Sequence, residues 1–224
     1  MKNLVIGLCL LIAAPAAMSG CRETSKLPEP AIENLPLILP IQSTDTARQY
    51  LNLKSSRSNE TGLPNIEPPN LPYRPTYEFT IAPTATDVKI RTVEVYKSYA
   101  IPLNALATAY KFGPRVKYRD FSSFPVTVTL NSNEALKGLS YIDGSGVTIP
   151  VVELLPDGTQ NPNKFINFVD VKHAVVFTFE YILEDGRRII LTPLDSRGSI
   201  LGTFALKPYA AYAVFRAPSP PKKK

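Results

Sequence analysis

Residues 175–194 read VVFTFEYILEDGRRIILTPL, and the spacing of that stretch decides the fold class. Val175, Phe177, Phe179 and Tyr181 fall at every second position against Val176, Thr178 and Glu180. A repeat of two is the period of a strand, not of a helix. Asp185-Gly186 follows, a dipeptide suited to a tight hairpin turn. The stretch from Arg188 to Leu194 is therefore expected to return as a second, antiparallel strand.

The same alternation recurs on either side. Tyr77, Phe79 and Ile81 alternate with Thr76, Glu78 and Thr80, and Val126, Val128 and Leu130 with Thr127 and Thr129. Val116 and Tyr118 alternate with Arg115, Lys117 and Arg119. Val88 and Ile90 are out of phase with Val93 and Val95, which predicts a β-bulge near Arg91-Thr92. Asp143-Gly144 and Asp157-Gly158 mark further turns. A last strand pair is expected over 199–206 and 209–216. The stretch 98–114 (SYAIPLNALATAYKFGP) reads as a long loop. Only 133–139 has helical character here, with Asn131 and Ser132 as caps. Without long crossover helices, the expectation is an all-β, antiparallel sandwich of about seven to nine strands over 76–217. A domain of that size can bury a sufficient core without disulfides or metal.

The N-terminus carries an address. Met1-Lys2-Asn3 precedes an apolar run over 4–14 (LVIGLCLLIAA), shorter than the roughly 20 residues that span a bilayer. Met18-Ser19-Gly20-Cys21 resembles the lipobox of bacterial lipoproteins. The resemblance implies a signal peptide over 1–20, cleavage after Gly20, and lipid attached to Cys21 through acyl chains such as palmitate. It places the mature protein in the bacterial cell envelope, with the outer membrane expected. An ordinary secretory signal or an uncleaved anchor are the other readings of these residues. The second cysteine, Cys9, lies inside the apolar run and leaves with the signal, so no internal disulfide is expected.

Residues 21–75 read as a tether. Pro28, Pro30, Pro36, Pro40, Pro64, Pro68, Pro69, Pro72 and Pro75 interrupt regular pairing, and such a chain spans on the order of 3.1 Å per residue. Within it, 35–41 is an apolar patch expected to pack on the domain, and 44–53 is a short helix candidate. Residues 218–224 form a basic tail, read as solvated. Lipobox, Pro-rich tether and the strand pair over 177–188 together look like the immunoglobulin-like modules of Bacteroidota surface lipoproteins. That resemblance covers about 85–195 and implies a spacer, or a glycan- or partner-binding part.

Composition limits the chemistry. The chain carries net charge +6, one histidine, two cysteines and no tryptophan. His173 is read as a strand-start residue; no nucleophile elbow surrounds it, and ligands for a usual zinc site are lacking. Neither glycine-rich phosphate loop occurs. Carboxylates such as Asp120, Asp143, Glu153, Asp157, Asp170, Glu180, Glu184, Asp185 and Asp195 could hold a glycosidase pair only at a defined separation. The expectation is a non-enzyme with no cofactor, no metal and no nucleic-acid partner.

Tyr99, Tyr110, Phe112, Arg115 and Tyr118 are the candidate ligand-binding residues, as rings that stack on sugars beside a cation. Their other reading is as core or edge cover. The expected function is a membrane-anchored binding or accessory module for surface polysaccharide. The alternative is a structural subunit of a secretion, pilus or transport assembly with an envelope protein partner. Neighbouring exposed rings would mark the first; an uncovered edge strand or apolar patch would mark the second.

Overall fold

A computed structural model describes residues 39–52, 76–84, 89–165, 169–203 and 209–216. All lie in the second of two units of the chain, Asn34–Lys224. The expected signal segment, Gly20, Cys21 and the basic tail lie outside the described residues.

The elements run β1 Ile41–Gln42, β2 Tyr50–Asn52, β3 Tyr77–Ile81, β4 Ile90–Pro102, β5 Tyr110–Phe112, β6 Val116–Phe121 and β7 Val126–Leu130. A short helix, α1 Ser132–Leu136, follows. Then come β8 Ser140–Ile142, β9 Thr148–Pro150, β10 Val152–Leu154, β11 Gln160–Phe165, β12 Ala174–Leu183, β13 Arg188–Ile190 and β14 Ala210–Arg216. The protein is all-β, as the alternation predicts.

Its spine is the long antiparallel pair β4–β12, from Ala174 opposite Ala100 to Ile182 opposite Thr92. Leu183 then meets Ile90, so Arg91 is the extra residue of a bulge where the apolar phase slips. β12 is flanked on its far edge by β14 and β13, β4 by β5 and β6, and β2 extends β14, giving a seven-stranded sheet. The β2–β14 pairing is parallel. A smaller sheet, β1-β3-β7, provides the second layer, and β8–β9 and β10–β11 form separate hairpins.

The main core lies between these layers. Phe79 of β3 sits 5.2 Å from Phe177 and 5.9 Å from Phe179 of β12, between ring centroids. Tyr77 stacks on Phe177 at 6.1 Å. Val93, Val95, Val128, Leu130, Tyr181 and Phe215 complete the packing. Full burial of a side chain of this kind contributes about 1.5–3 kcal/mol, so this layer dominates stability.

The outer face of the large sheet is buried too. Ala100, Tyr110, Phe112, Ala174, Val176, Ile200 and Ala210 form a second cluster. The chain near Ile200 is held there by an isolated bridge to Leu194 and by Tyr110 N–H donating to Thr203 O at 2.9 Å. β12 is consequently covered on both faces, where alternation alone predicts one wet side.

Four expectations change. The loop over 98–114 shrinks to 103–109, because Tyr99 and Ala100 are buried on opposite faces and keep β4 in the sheet as far as Pro102. The helix over 44–53 is a single 3-10 turn, Thr46–Arg48, followed by β2, whose Leu51 is buried opposite Phe215. Residues 41–52, assigned to the tether, thus pair with both sheets. Of the strand expected over 199–206, only the Ile200 bridge forms, and 204–208 lie outside the described residues. The predicted cap holds: Asn131 Oδ1 accepts from Glu134 N–H at 2.8 Å and starts α1. Among the described residues, no helix is long and apolar enough to cross a membrane.

Candidate functional site

The five predicted binding residues do not meet at one surface. Tyr99 is buried in the main core, with its hydroxyl 2.6 Å from His173 Nδ1. Tyr110 and Phe112 lie in the second cluster. Tyr118 packs edge-on against Phe177, and its hydroxyl donates to Glu134 at 2.9 Å. Arg115 is buried over the Tyr96 ring, 4.0 Å from its centroid, and donates to Glu180 at 2.5 Å. The other reading, rings that fill the core, describes Tyr99, Tyr110 and Phe112. His173 does stand just before β12, and burial outweighs the attraction of Asp170 to lower its pKa.

The carboxylates that the fold does bring together are Glu94 and Glu180, directly opposite each other on β4 and β12. Arg188 donates to both. Lys117 bonds Glu94 at 3.0 Å and also pairs with Asp120. Burial alone would raise the Glu94 pKa, but hydrogen bonds from Lys117, Arg188 and Tyr96 outweigh it and hold the carboxyl at about 2. Such a carboxylate is a poor general acid at neutral pH. The arrangement ties β4, β6, β12 and β13 together. Among the described residues, no group of His, Cys, Asp and Glu is arranged to hold a metal ion.

Lys97 is a charged side chain on the core face. Its Nζ donates to the carbonyls of Glu134 and Ala135 at 2.8 and 3.0 Å, at the end of α1. Burial lowers its pKa to about 8, against a smaller opposing pull from Glu134.

Two surface features remain as places where a partner could bind. The first is the loop tip between β4 and β5. Asn104 braces this loop by accepting from Thr108 N–H at 3.0 Å and donating to Thr108 Oγ1 at 2.7 Å. Lys172 Nζ reaches across from the turn before β12 to Ala105 O at 2.5 Å. Ala107 and Lys172 both have positive φ, 52° and 72°, a backbone state that non-glycine residues seldom adopt. The braced loops present Leu103 at 54%, Leu106 at 83% and Val171 at 39% exposure. The second is a cleft of about 380 Å³ beside β14. Gln42, Gln49, Tyr77, Phe79, Tyr212, Val214 and Arg216 are among its lining residues. No carboxylate is among its described lining residues.

The loop itself is expected from the sequence, but its exposed leucines and the cleft are not. Leu103 and Leu106 sit in an aperiodic stretch, and the cleft joins residues remote in the chain. Comparison with protein-family models, with curated proteins and with solved structures gives no match for this chain.

Proposed function

We propose that this protein is a lipid-anchored, non-catalytic subunit of a bacterial envelope assembly, docking on another envelope protein through its aliphatic loop tip. The observation that carries this reading is the ordered display of Leu103, Leu106 and Val171 on hydrogen-bonded loops. Aliphatic side chains held outward by a braced backbone lose little entropy when a partner covers them. The lipobox-like Met18-Ser19-Gly20-Cys21 supplies the anchor, and the Pro-rich segment supplies reach.

Polysaccharide capture is the second reading, favoured by the cleft. Its amides, tyrosine and guanidinium suit a polyhydroxylated ligand, and its volume falls in the range of small-ligand sites. The rings that the sequence offers for sugar stacking are not part of that support.

The two readings separate in one experiment in the native host. A photo-crosslinking residue at position 106 is compared with one at the exposed turn position 144. A defined envelope protein joined from 106, absent from 144 and lost when Leu103→Asp is added, is the expected result. No adduct at 106, together with a purified glycan bound by the native chain and not by Gln42→Ala/Arg216→Ala, refutes the docking reading in favour of the cleft.

A further inference from the structure

Four buried polar atoms, two on the large sheet and two just outside its strands, have no hydrogen-bond partner among the described residues: Ser98 Oγ, Thr178 Oγ1, Thr192 Oγ1 and Arg115 Nε. The register sets Ser98, Thr178 and Arg115 at neighbouring positions, and Thr192 follows the strand paired with Glu180 on the far edge of β12. Thr178 pairs with Tyr96, so Ser98, two residues further along β4, shares its face as a diagonal neighbour. Arg115 immediately precedes Val116, the partner of Lys97, and its side chain runs back over Tyr96 to Glu180. Thr192 stands two residues beyond Ile190, the partner of Glu180, past the end of β13 on the edge of β12 away from β4. This patch is the border between the charged half of the outer face and its apolar half.

We propose that these four groups enclose an internal water site. A buried donor or acceptor left unmet is costly, and several at neighbouring positions call for a shared partner. Three hydroxyls offer both donors and acceptors, whereas the arginine Nε only donates. Water, which donates twice and accepts twice, answers that mixed set. An anion does not. Glu94, Glu180 and Asp120 already balance Arg115, Lys117 and Arg188, so no positive charge is left to hold one. The water joins Arg115 to the chain at Thr192, across β12, and completes the seam over the sheet.

The test uses the full-length chain. In the native protein, the methyl groups of Thr178 and Thr192 should show nuclear Overhauser contacts to water resident for longer than a nanosecond. Thr178→Val should lower the folded-to-unfolded ratio about fivefold and remove that signal, since it strands the remaining groups. A dry patch gives the opposite result: no long-lived water, and a Val variant as stable as the native chain or more so. Stabilisation by chloride over gluconate at constant ionic strength, lost in Thr178→Val, would overturn the water assignment in favour of a halide.

Discussion

Replacing Lys97 with methionine removes a buried cation while nearly keeping its length, and the consequence is best read against pH. In the folded chain burial holds this amine at about 8, against an ordinary 10.5. Between those values the unfolded chain keeps the proton and the folded chain has released it. The unfolded state then binds more protons, so stability rises with pH through this window and levels off above it. Lys97 is only 4% exposed, so solvent screening discounts the effect little. The full gap corresponds to about 3 kcal/mol, most of which is gained between pH 7 and pH 10. Lys97→Met has no such group. Urea unfolding of both proteins, followed by far-ultraviolet circular dichroism at intervals across that range, gives the difference in stability directly. Ionisable groups common to both proteins largely cancel in that difference. The native chain should gain on the variant steadily above pH 8. A difference that stays flat, or falls, refutes the account of Lys97 as a cation desolvated against the end of α1.

Other perturbations have equally definite outcomes. A Cβ at Gly113 would stand 2.0 Å from Ser140 O, a backbone atom, so Gly113→Ala should cost about 3 kcal/mol or more, while Gly144→Ala, with nothing within 4 Å, should be close to neutral in the same denaturation series. Glu180→Leu leaves Arg115 buried without its carboxylate and should lose about 3–5 kcal/mol, little changed by added salt because buried pairs are weakly screened. Glu94, held at about 2, contributes stability above pH 4.5 that is lost as pH falls toward 2; Glu94→Gln should flatten that acid limb in thermal melts. Phe177→Ala, which opens the contact with Tyr77, Phe79 and Tyr118, should cost about 3–5 kcal/mol by urea unfolding.

Strands that alternate cleanly are legible in the amino-acid sequence itself. β3, β7 and β12 follow from one-residue-in-two patterns, and even the Arg91 bulge shows as a phase slip. Three-residue strands such as β5 and β8 are too short to show a period, whereas the equally short β13 is legible through the Asp185-Gly186 turn before it. The second buried face is hidden for a different reason. Val176 and Ala174 match the outward phase, and what covers them is an irregular segment around Ile200 whose position no local pattern encodes. Tyr99, Tyr110 and Phe112 illustrate the same limit, since an aromatic in a loop-like stretch reads alike whether it faces solvent or core. The Glu94–Glu180 pair depends on strand register between distant segments, which composition does not carry. Leu106 is invisible as a surface feature because its exposure follows from the brace between Asn104 and Thr108, not from its own chemistry.

Attachment through Cys21 underlies the functional reading, and intact-mass spectrometry tests it most directly. The native chain and Cys21→Ala, each with a C-terminal tag, are expressed in a bacterial host and extracted with detergent. The account predicts a native product that begins at Cys21, carries acyl mass on that residue and partitions with membranes, with both properties lost in Cys21→Ala. A native product with no lipid on Cys21, released like the variant, would contradict it and remove the anchored subunit as an explanation.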